Sequence, residues 1–75
     1  MTNTELLEKY IKASGKKKGY LAEKCGLSAA GFWNCCNNKN GAEFKTGHIL
    51  ILCNELGIKS LKERDAIFFA HKVAE

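Results

Sequence analysis

Apolar residues recur along the chain at helical spacing, in five groups separated by glycine or by short polar runs. Leu6, Leu7, Tyr10 and Ile11 form the first group. Thr2 and Glu5 have capping-box spacing ahead of them and Gly15 follows, so a helix is predicted from about Asn3 to Ser14. Its apolar face reads as core. Leu21, Ala22, Cys25, Leu27, Phe32 and Cys35 come next, broken at Gly26, and fit two short helices over about Lys17 to Cys25 and Ala29 to Asn37. Ala22 is small enough for the pair to approach closely, and Gly26 can take the positive φ that a tight corner requires. Ser28 supplies a hydroxyl to cap the second of the two.

The run NNKNGAEFK, residues 37–45, is polar and turn-rich, with Phe44 expected to pin the loop to the core. A fourth helix follows from about Thr46 and stops at Gly57, with Ile49, Leu52, Cys53 and Leu56 as its buried stripe. Leu50 and Ile51 fall outside that stripe. They are expected to be covered either by the fifth segment or by a second subunit. Ser60 and Glu63 form another capping box, opening a helix that runs through Arg64, Asp65 and Ala66 into Ile67, Phe68 and Phe69. Ile67, Phe69, His71 and Val73 also alternate as a strand would, so an extended C-terminal tail is the alternative; helix is the preferred reading. Together these segments predict an all-α, five-helix bundle forming one domain over residues 1–75.

Composition narrows the function classes. The chain has no proline and is 45% hydrophobic, which suits compact helices and argues against disorder. No apolar run is long enough to span a bilayer, so no membrane partner is expected. Cys25, Cys35, Cys36 and Cys53 lack CxxC spacing and no signal peptide precedes them, so free thiols in a reducing cytoplasm are expected. A zinc site would need Cys35 and Cys36 to ligate from adjacent positions with His48 or His71, an unusual spacing. Neither histidine has a partner at catalytic spacing. No cofactor, metal or small-molecule substrate is expected, and a thiol or metal enzyme lacks any nucleophile–base pair.

Net charge is +4, and its distribution matters more than its size. Lys16, Lys17 and Lys18 cluster immediately before the two-helix stretch, and Lys39 and Lys45 follow it. A helix enters the DNA major groove when its outer face is narrow and the preceding helix braces it across the phosphates. On the third helix Ala29, Ala30, Trp33, Asn34 and Asn37 point away from Phe32 and Cys35. Ser28, Ala29, Ala30, Trp33 and Asn34 are therefore the candidate base-facing residues, and Lys16, Lys17, Lys18, Asn37, Asn38, Lys39 and Lys45 the candidate phosphate-facing ones. Trp33 either packs on sugars and phosphates or laps over the loop near Phe44.

The window LAEKCGLS, the amphipathic helix ending at ELGI and the tail SLKERDAIFFAHKV are each similar to what small phage regulators of the lambda-repressor-like Xre/Cro family carry at the same relative positions. The resemblance covers nearly the whole chain. It implies a helix-turn-helix over about residues 17–37, a homodimer on a palindromic operator, and base reading from the early third helix. By position, Ala29, Ala30 and Asn34 match base-facing sites, Lys18 and Asn37 match phosphate-facing ones, and Ser28 matches the cap. The chain departs from the family pattern at Ala29 and Ala30, where a long polar residue is common at one or both sites. Direct readout then rests on Asn34, with Ser28, Trp33 and DNA shape in support. A Cro-like repressor acting on double-stranded DNA is the leading expectation. An antitoxin-like protein-interaction module is the alternative, with Leu50, Ile51, Phe68 and Phe69 as its working surface.

Overall fold

In a computed structural model that describes residues 1–70, the chain is all-helical. The elements are α1 (Thr4–Ser14), α2 (Lys18–Lys24), α3 (Ala29–Cys36), α4 (Thr46–Leu56) and α5 (Leu61–Phe68), with a 3-10 turn at Lys39–Gly41. Punctuation explains the boundaries. Gly15 and Gly57 end α1 and α4 in left-handed geometry, each sending its N–H back to a last-turn carbonyl. Gly26 turns the chain between α2 and α3 at φ +72°, and Leu27 N–H then closes on Ala22 O at 2.9 Å.

One cap differs from expectation. Asn3, rather than Thr2, caps α1, its Oδ1 accepting from Leu6 N–H at 3.1 Å. Thr2 is drawn inside instead, 6% exposed, because the N-terminal segment crosses the ends of two other helices. Asn3 N–H donates to Ile67 O at 2.7 Å, and Ala70 N–H donates to Met1 O at 3.0 Å. Thr4 Oγ1 donates to Cys36 O at 2.7 Å, satisfying a carbonyl that α3 leaves open at its end.

The core draws on every helix, from Leu7 and Ile11 through Leu21, Phe32 and Leu52 to Ile67. Phe44 is the plug its position suggests. Its ring meets Phe32 and Phe68 edge-on at 5.6 and 5.7 Å between centroids, and burying a phenylalanine contributes roughly 1.5–3 kcal/mol. That geometry corrects the expectation for Phe68, which is 4% exposed and forms the far wall of the Phe44 site rather than a partner surface. Of the residues outside the α4 stripe, Ile51 packs half-buried on the chain's own core while Leu50 stays 60% exposed. Helix α5 ends at Phe68, and the strand-like alternation through His71 and Val73 falls outside the described residues.

Candidate functional site

Helices α2 and α3 pack against each other, and Phe32, Cys35 and Cys36 fill the inner side of α3. That leaves Ala29, Ala30 and Trp33 exposed on the outer side, with Asn34 half-buried beside them. Ser28 caps α3, its Oγ accepting from Gly31 N–H at 3.0 Å. A larger residue at position 31 would crowd that cap, since a Cβ there would lie 3.2 Å from Ser28 Oγ. Asn37 closes the other end. Its backbone N–H and its Nδ2 both donate to Trp33 O, at 3.0 and 2.9 Å.

Ala29, Trp33 and Asn37 stand four residues apart and so share one row along α3. Between that row and the start of α2, at Lys18 and Gly19, runs a groove of about 210 Å³, lined also by Phe32 and Cys36. Of the two expectations for Trp33, a position over the loop near Phe44 is met only in part. Phe44 is enclosed by Phe32, His48 and Phe68, and Trp33 lies instead beside the 3-10 turn, with Lys39 Nζ 6.0 Å from its ring centroid. The indole is 50% exposed and forms one wall of the groove.

The lysines divide into two sets. Lys16 is a strap: its Nζ donates to both Glu55 O and Glu55 Oε1 at 2.8 Å, tying the α1–α2 connection to the end of α4. Tyr20 OH donates to the same carboxylate at 3.1 Å. The hydrogen bond from Lys16 holds the Glu55 carboxyl below the usual range and in return raises the Lys16 ammonium above its own. Lys18 pairs with Glu8 on α1 at 2.6 Å, in a half-exposed bridge that solvent screens. Lys17, Lys39 and Lys45 are exposed and make no ion pair among the described residues.

Asn38 also leaves the outward set. Thr2 N–H donates to its Oδ1 and its Nδ2 donates to Thr2 O, both at 2.9 Å. An amide with both ends bound to the protein's own backbone has little left for a phosphate. No local signal announces this clamp, because its partners lie 36 positions apart; the same holds for Lys16 and Glu55 at 39.

The remaining candidates fall as follows. Burial raises all four thiols above their ordinary range, Cys36 to about 12, which makes it a poor nucleophile. His48 sits at the start of α4, where Nδ1 accepts from Lys45 N–H at 3.2 Å. Among the described residues no three histidine, cysteine or acidic side chains gather as a metal would require, and no helix is long and apolar enough to cross a membrane. Phe69 is 45% exposed, with the Arg64 guanidinium 5.6 Å from its ring centroid. Leu61, which its sequence position did not single out, is 68% exposed at the first turn of α5. Compared with known family models, curated proteins and solved structures, the chain matches none.

Proposed function

We propose that this chain is a sequence-specific DNA-binding regulator, a Cro-like repressor of the lambda-repressor-like Xre/Cro type from a phage or prophage. Helices α2 and α3 are its helix-turn-helix, and a homodimer occupies a palindromic operator in the cytoplasm, acting by steric exclusion with no catalysis. The observation that carries the reading is the two-sidedness of α3: its inner residues are buried, and its outer row is open and slim, flanked by the exposed cations Lys17 and Lys39. Lys45, at the start of α4, adds a third.

Selection of bound duplexes from a random DNA pool at moderate salt tests it. An enriched palindrome is expected, with an affinity that falls steeply as salt rises. Lys17→Ala or Lys39→Ala should each flatten the log–log salt slope by about 0.9, one phosphate contact's worth. No enrichment and no salt-dependent retention of any duplex would reject the reading.

A protein-interaction module is the second reading, favoured by the exposure of Leu50, Leu61 and Phe69. The same selection separates the two, because a module of that kind enriches no duplex.

A further inference from the structure

The groove beside Trp33 and the chemistry of the α3 outer row define what the proposed DNA contact can distinguish. Along that row stand the Ala29 methyl, the Trp33 indole and the Asn37 side-chain amide, whose Nδ2 directs one N–H at Trp33 O. Lys18 and Gly19 form the opposite wall, with Phe32 and Cys36 between. The lining is mostly carbon, its polar groups being the Lys18 head, the Asn37 amide, the indole N–H, the Cys36 thiol and the Gly19 main chain. Its surroundings are cationic: Lys39 Nζ lies 6.0 Å from the Trp33 ring centroid, Lys17 is exposed next to Lys18, and the chain as a whole carries +4.

A carbon-lined groove within a cationic surface fits a polyanion that itself presents apolar groups. In the DNA major groove only one base edge does so, thymine, through its C5-methyl. The Ala29 methyl and the carbon face of the Trp33 ring offer no hydrogen bond to the polar groups of the other base edges, the indole Nε1–H being the one donor on that wall, and desolvating those groups against carbon would cost binding. We infer that the Trp33 groove is a subsite for 5-methylpyrimidines, so that operator preference arises from thymine methyls packed on Ala29 and Trp33. The inference rests on the DNA-binding reading above.

The test uses the full chain and the best duplex from the selection, with each thymine replaced in turn by deoxyuridine, which removes the methyl and keeps the pairing. At one or two positions per half-site the substitution should weaken binding about fourfold, the value of one buried methyl. Trp33→Ala should weaken binding of the thymine duplex and abolish that difference, and because Trp33 is half-exposed and outside the core the variant should still fold. A change in DNA stiffness caused by deoxyuridine would persist in the variant, whereas a lost contact would not. Trp33 is the sole tryptophan of the chain, so its emission should shift on binding the thymine duplex and shift less on binding the deoxyuridine one. Equal affinity for thymine and deoxyuridine duplexes at every position overturns the methyl subsite and leaves the DNA reading standing. Absence of any salt-dependent duplex binding overturns both.

Discussion

Asn38 stands where α3 gives way to the 3-10 turn, at φ +54°, a left-handed position that asparagine tolerates better than most residues. Its side chain, bound at both ends to Thr2, holds the N-terminal segment across the bundle. Replacing it by alanine leaves the Thr2 N–H and C=O without that partner, at a cost of about 1–3 kcal/mol, and adds strain at the positive φ. Asn38→Ala should therefore lower the midpoint of thermal unfolding by several degrees, roughly 4–8 °C per kcal/mol for a domain this size. Affinity for DNA, measured below that midpoint, should be unchanged. An unaltered melting curve would remove the clamp from the account. The sequence offers the turn-forming asparagines at 37, 38 and 40 in plain view, but which of them faces inward depends on a segment 36 residues away.

Among the helices, local signals set the ends and long-range contacts set the relations between them. Gly15, Gly26, Ser28, Gly57 and Ser60 each act where they stand, and each is legible because capping and positive φ are properties of a few neighbouring residues. The strap from Lys16 to Glu55 is of the other kind. Glu55 titrates below the usual carboxylate range, chiefly through the hydrogen bond from Lys16, aided by Tyr20 and opposed by burial. Its contribution to stability is thus complete above the ordinary carboxylate value and is lost as the pH falls through the depressed one. Lys16, raised by the same bond, loses its share only in strong alkali. Glu55→Gln should flatten the acid limb of melting temperature against pH, most visibly between about pH 5 and pH 3. An acid limb identical to that of the unaltered protein would show that the strap adds nothing.

For the molecule as a whole, a buried and an exposed member of the expected partner surface, Phe68 and Leu50, separate two kinds of effect. Phe68 closes the aromatic cluster around Phe44, and Phe68→Ala should cost about 3–5 kcal/mol, a large share of the stability of a small domain. Leu50, 60% exposed, has no such role. On the homodimer reading Leu50→Glu should leave the melting temperature of the isolated subunit unchanged and shift sedimentation toward the monomer. A Leu50→Glu chain that still sediments as a dimer would exclude that face. Sequence position placed Phe68 and Leu50 in one partner surface because periodicity reports which residues share a helical face, and the end of α5 is too short for the period to distinguish Phe68 from Phe69.

The sequence by itself determined the helical class, nearly every helix boundary, the Phe44 plug and the outward row of α3, because each depends on spacing or capping within a few residues. Only the tertiary structure decided that Asn38 and Lys16 are internal fasteners, that Phe68 belongs to the core, and that Trp33 walls an apolar groove beside Lys39. Except for Trp33 and Lys39, these are pairings of groups far apart in the chain. Their partners are chosen by how the helices pack, and no local pattern encodes that choice.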